Sequence, residues 1–138
     1  MPLSARLIAA YRAAHYAVYG EPELVIRIGE PNPRLDALLE AAGAASAAYL
    51  TAANPRGKRR SENENAIAFG SLKELLNEKR YCYRTGAGRD PKVAWPPEAS
   101  VLITGIARAD AVALGSRLEQ NAIVFIEKGG APELVLLA

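Results

Sequence analysis

The sequence predicts an α+β fold, a single β-sheet with helices packed on it, and three observations carry that expectation. Four segments repeat apolar residues at helical spacing, seven short segments alternate or run apolar as strands do, and the two kinds interleave in the order α-ββ-α-β-α-ββ-α-ββ. Single strands bridged by helices favour parallel neighbours, whereas hairpins add antiparallel ones, so the expected sheet is mixed. A three-layer α/β arrangement is the alternative. The chain has 138 residues, half of them hydrophobic and 23% charged, which fits one globular domain over residues 1–138.

The first helix is expected from Ser4 to about His15. Leu7, Ile8, Tyr11, Ala14 and His15 recur at helical spacing, and Ser4 is placed to cap the free N–H groups. Residues 16–19 and 24–28 flank the turn residues Gly20-Glu21-Pro22-Glu23 and read as a hairpin. The next helix has the sharpest boundaries: Asn32 as N-cap, Pro33 at the first position and Gly43 as a left-handed end. Residues 46–51 are almost wholly apolar, as befits a strand covered on both faces. Ser61 and Glu64 form a capping box, and a helix with the stripe Ala68, Phe69, Leu72, Leu75 and Leu76 follows to about Arg80. Strands at 81–85 and 100–104 then enclose a 14-residue segment, Gly86 to Ala99, that reads as a long loop of the kind that carries function. A helix from about Ala107 to Leu118 and a hairpin of residues 122–126 and 133–137 around Gly129-Gly130 close the chain.

Composition narrows the function classes. Seventeen Lys and Arg against fifteen Asp and Glu leave a net charge of +2, too small to demand a polyanionic partner. One Cys permits no internal disulfide, the N-terminus lacks the apolar core of a signal peptide, and no stretch reaches the roughly 20 apolar residues of a membrane span. A cytoplasmic protein without a membrane partner is the expectation. The single His15 excludes a multi-histidine metal site, and it reads as a core or boundary histidine. Cys82 could act as a nucleophile only if the fold brought His15 to it.

Two polar loops follow predicted strands, a common location for ligands in sheets with βα connections. The first contains Asn54-Pro55 and the basic run Arg56, Lys58, Arg59 and Arg60 ahead of the helix that starts at Ser61. A helix N-terminus beside four cations could hold an anion, although Glu62 and Glu64 already supply negative charge there. Asn65 shares the buried stripe of that helix, where its amide must find partners, and tying down the Asn54 loop is its structural role. The second loop offers Gly86 and Gly88 for close approach, Arg89, the turn Asp90-Pro91, and Trp95 as a stacking face or a hydrophobic plug. Glu98 could serve as an acid or base if buried. Gln120-Asn121 sits at a helix-to-strand junction, where Asn121 reads as a left-handed cap. No P-loop, dinucleotide fingerprint, nucleophile elbow or C-x-x-C pair is present.

The ordered set Arg27-Ile-Gly29, Leu35 to Leu39, Tyr49-Leu-Thr-Ala-Ala-Asn-Pro55, Asn65, Gly86-Ala-Gly-Arg-Asp-Pro91, Trp95-Pro-Pro-Glu-Ala-Ser100 and Gln120-Asn-Ala-Ile-Val-Phe125 resembles a bacterial family known only as domain of unknown function 3293. The chain departs from the family pattern at Ala53, where Trp is usual, and its segment Arg56 to Arg60 is more basic. The resemblance implies a small stand-alone bacterial cytoplasmic domain and supplies no reaction, substrate or cofactor. It does place signature positions on both polar loops, which raises the expectation that Asn54, Asn65, Asp90, Glu98 and Asn121 act together.

The leading functional expectation is a binding module. Asn54, Asn65, Arg89, Asp90, Trp95, Gln120 and Asn121 would converge on a small polar or anionic ligand, a nucleotide among the candidates. The alternatives are a small enzyme with Glu98 or Asp90 as general acid or base, with Asn54 or Asn65 stabilising developing negative charge, and a protein or nucleic-acid interaction module using Arg56, Lys58, Arg59 and Arg60. The sequence specifies no cofactor and no oligomeric state.

Overall fold

Local chemistry places most of the helices. In the computed structural model, which describes residues 3–91 and 96–137, α1 spans Ala5–Ala13 and the Ser4 side chain accepts from the Leu7 N–H at 3.1 Å. Helix α2 spans Pro33–Ala42, with Asn32 capping Leu35, Pro33 in the first turn and Gly43 left-handed at φ 65°. Helix α3 spans Glu62–Glu78 and opens on a reciprocal Ser61–Glu64 capping box. Helix α4 spans Arg108–Arg117. No helix among the described residues is long and apolar enough to cross a membrane.

The strands are β1 (His15–Val18), β2 (Leu24–Ile26), β3 (Ser46–Thr51), β4 (Cys82–Arg89), β5 (Glu98–Thr104), β6 (Ala122–Glu127) and β7 (Glu133–Leu136). They form one seven-stranded sheet in the order β2-β1-β4-β5-β3-β6-β7. The α+β class and the alternation of elements agree with the sequence pattern. The expected parallel neighbours do not occur: every pairing among the described strands is antiparallel. The helix-bridged strands β2 and β3, β3 and β4, and β5 and β6 do run in the same direction, but other strands are inserted between the members of each pair. The crossover argument correctly predicts direction and fails on adjacency.

Period-two alternation divides the core between the two sheet faces. Ala48, Leu50, Val101, Ile103, Ile123 and Phe125 pack against Leu72 and Leu76 of α3 and Ala111 and Leu114 of α4. On the opposite face Ala47, Tyr49, Leu102, Val124 and Ile126 pack against Leu35 and Leu39 of α2. Burial on both faces explains why β3, β5 and β6 read as near-continuous apolar runs.

Two expectations are corrected here. His15 begins β1 instead of ending the first helix, because Ala14 is already extended at φ −66°, ψ 154°. The segment Gly86 to Ala99 is largely strand: β4 continues to Arg89 and β5 begins at Glu98. Gly86 and Gly88 pair with Val18 and Tyr16 of β1 on one side and with Ser100 and Glu98 of β5 on the other. At Gly86 the missing side chain serves close packing of β1, since a Cβ there would collide with the carbonyl of Ala17.

Candidate functional site

The antiparallel order gathers the polar residues at one end of the sheet. The C-terminal ends of β3 and β4 and the N-terminal ends of β1, β5 and β6 lie there together, bringing in the Asn54 loop, Asp90, Tyr16, Glu98 and Gln120-Asn121. Helix α1 crosses this end on the face that carries Tyr49 and encloses a cavity of about 650 Å³. Leu7, Ala10, Tyr11 and Ala14 contribute one wall, Tyr16, Tyr49 and Val124 the floor, and Asn54, Glu98 and Gln120 a polar end.

Asn54 organises that polar end. Its backbone is left-handed at φ 47°, a conformation that Asn tolerates better than most residues. Its backbone N–H donates to Asn65 Oδ1 at 3.0 Å, while its own Oδ1 accepts from Asn65 Nδ2 at 3.0 Å and from the Arg60 N–H at 2.8 Å. The other polar atom of the side chain, Nδ2, donates to Glu98 Oε2 at 2.6 Å. Asn65 thus ties the loop down from the α3 stripe, and Asn54 holds the carboxyl of Glu98. Each of the two side-chain amides gives one N–H to this network, Asn54 to Glu98 and Asn65 to Asn54. Gln120 Nε2 braces the same loop by donating to the Ala53 carbonyl at 3.1 Å.

Glu98 is half-buried and lines the cavity. Burial pushes its carboxyl above the ordinary carboxylate range, and the Asn54 hydrogen bond offsets part of that rise. Tyr16 and Tyr49 meet edge to face with ring centroids 5.4 Å apart. The Tyr16 hydroxyl donates to the Tyr11 carbonyl at 2.5 Å, the Tyr49 hydroxyl donates to the Ala17 carbonyl at 2.7 Å, and burial drives both phenols well above their usual titration range. Asn121 is buried and donates from Nδ2 to the Tyr11 hydroxyl at 3.2 Å, fastening α1 to the sheet. It is not the left-handed cap of α4. That conformation falls on Glu119, at φ 55°.

Other candidates are placed differently. Arg89 reaches the cavity rim, but its guanidinium is paired with Glu23 at 2.8 Å. Asp90 lines the cavity, and Trp95 lies outside the described residues. Arg56, Lys58, Arg59 and Arg60 are exposed, and Arg56 lies 3.8 Å from Glu119 across an ion pair. The first turn of α3 beside them is occupied by its own capping box and by Glu62 and Glu64, which works against an anion there. Cys82 begins β4 and His15 pairs with Arg89 at its other end, seven residues along the strand, or about 23 Å, so they form no dyad. Among the described residues no group of three or more His, Cys, Asp and Glu is arranged to hold a metal.

Sequence reasoning did not single out Tyr11, Tyr16 or Tyr49 as site residues. The available signal was a tyrosine inside an otherwise apolar strand, since a buried phenol needs a hydrogen-bond partner.

Residues 50–123 match the family described as Protein of unknown function (DUF3293). The chain belongs to that family. The part matched by DUF3293 contains the whole polar end of the cavity, Asn54, Asn65, Glu98, Gln120 and Asn121, whereas α1, Tyr16 and Tyr49 lie before it. No curated protein and no solved structure matches the chain.

Proposed function

We propose that this DUF3293 protein is a binding module for a small molecule, held between α1 and the sheet with its polar end at Glu98. The observation that carries the reading is convergence: polar side chains from three separate loops and strands meet at one end of an apolar-walled cavity of about 650 Å³, within the usual size of small-molecule sites. The Asn54–Asn65–Arg60 network supports it, because a preorganised carboxyl loses little freedom when a ligand binds.

A thermal-shift panel of nucleosides, nucleotides, sugar phosphates, carboxylates and amines tests this on the wild type and on Ala10→Trp, which fills the cavity from α1. A ligand at a hundred times its Kd stabilises by about 2.7 kcal/mol. The expected result is a shift with at least one class that disappears in Ala10→Trp. Shifts that persist in the filled variant, or no shift with any class, overturn the proposal.

A second reading makes Glu98 a general acid or base on the bound molecule. Its raised pKa inside a cavity favours that role, since such a shift moves a carboxyl towards the working range of an acid–base group. Asn54 is then the positioning residue that aims Glu98. Turnover of a ligand from the panel, lost in Glu98→Gln with binding retained, distinguishes catalysis from binding alone.

A further inference from the structure

The carboxyl of Glu98 forms no ion pair among the described residues, although it is half-buried and lines the cavity. Its one side-chain donor among them is the neutral amide of Asn54. The neighbouring strand cation, Arg89, is engaged by Glu23. A carboxylate in apolar surroundings without a counter-charge is costly, and a ligand cation seated there regains that energy by pairing in a low dielectric. Of the other charged residues that line the cavity, Arg6 belongs to α1, Arg89 is held by Glu23 and Asp90 adds a second acid; two aromatic lining residues suit the same chemistry as Glu98. Tyr16 and Tyr49 line the same cavity as Glu98, and cations are attracted to the electron-rich faces of such rings. An anionic head placed against Glu98 meets a like charge instead.

We propose that the ligand is a small organic cation, a protonated amine or amidine on a compact apolar or planar body, whose nitrogen donates to Glu98 while its body lies against Tyr16 and Tyr49. This rests on the cavity being a ligand site, and it favours a cation over the polar or anionic ligand expected from the sequence. Asn54 sets the direction of the carboxyl, and Ala10 and Ala14 of α1 contribute small side chains to the lining.

Benzamidine, benzamide and benzoate test it, because they share one shape and differ in head-group charge. Binding of each to the wild type and to Glu98→Gln is measured by calorimetry, with amide chemical-shift changes to locate it. Benzamidine is expected to bind at least about tenfold more tightly than benzamide and more tightly than benzoate, a gap of about 1.4 kcal/mol. In Glu98→Gln the advantage over benzamide disappears. Benzoate binding best, or benzamidine binding equally to both proteins, overturns the cationic assignment and leaves the cavity standing as a ligand site. If none of the three binds, the cationic assignment also falls, and the panel with Ala10→Trp decides separately whether the cavity takes any ligand. The ranking in the wild type alone decides the matter if the variant does not fold.

Discussion

The Tyr49 hydroxyl donates to the carbonyl oxygen of Ala17 at 2.7 Å, although β5 and β4 lie between β3 and β1 in the sheet. In a flat sheet those strands stand about 14 Å apart, beyond the reach of a tyrosine side chain. The sheet must therefore curl towards the Tyr49 face, and that curl gives the cavity its floor. Tyr49→Phe leaves the buried Ala17 carbonyl without this donor and is expected to cost about 1–3 kcal/mol. Denaturant unfolding measures it, and an unchanged midpoint would mean that the bond does not maintain the curl.

Gly86 makes the same curl possible from β4. A Cβ there meets backbone of Ala17 and Val18 with no room to yield, so Gly86→Ala is expected to lose about 3 kcal/mol or more. Gly88, two residues on, is the control: its nearest neighbour would be Ser100 Oγ at 3.9 Å. Gly88→Ala should be neutral or stabilising by up to about 1 kcal/mol. Thermal unfolding of the pair reads the contrast, and equal melting temperatures would contradict it.

Asn54 combines a left-handed backbone with three side-chain hydrogen bonds. Asn54→Ala should cost about 2–4 kcal/mol, and Asn54→Gly should recover about 1 kcal/mol of it by relieving the backbone alone. Equal stability of the two variants would show that the φ of 47° carries no strain for alanine.

Glu98 predicts a pH dependence. Burial raises its folded pKa above the ordinary carboxylate value, so the folded state holds the proton more tightly than the unfolded chain. Its contribution is fully present below the unfolded pKa and is lost as pH rises through the folded value. Glu98→Gln keeps an acceptor for Asn54 and removes the charge. The variant should gain stability relative to the wild type as pH rises above the ordinary carboxylate range, which paired denaturation curves at several pH values will show. A difference independent of pH would contradict the raised pKa.

Tyr11 holds α1 through the bond from Asn121, and α1 has no fully buried residue of its own. Tyr11→Phe should speed amide exchange in residues 5–13 severalfold while leaving exchange in β3 and β5 unchanged, because a peripheral helix opens locally. Exchange that rises equally in the central strands would show that α1 is part of the global unit.

The sequence by itself determined the elements, because their signals are local. Ser4, Asn32 with Pro33, and the Ser61–Glu64 box each act within three or four residues, and the apolar runs of β3 and β6 report burial on both faces whatever the strand order. It also placed Asn65 on the buried stripe of α3, because a helical period suffices for that. Tertiary structure alone decided which strands are neighbours, and with that it made Gly86 to Arg89 strand, since those glycines answer to β1, about 70 residues away in the chain. The site depends on the same long-range choice. Glu98 meets Asn54 across 44 positions and Asn121 meets Tyr11 across 110, separations at which no sequence period operates, and the burial that raises the Glu98 pKa exists only once the curled sheet and α1 close around it.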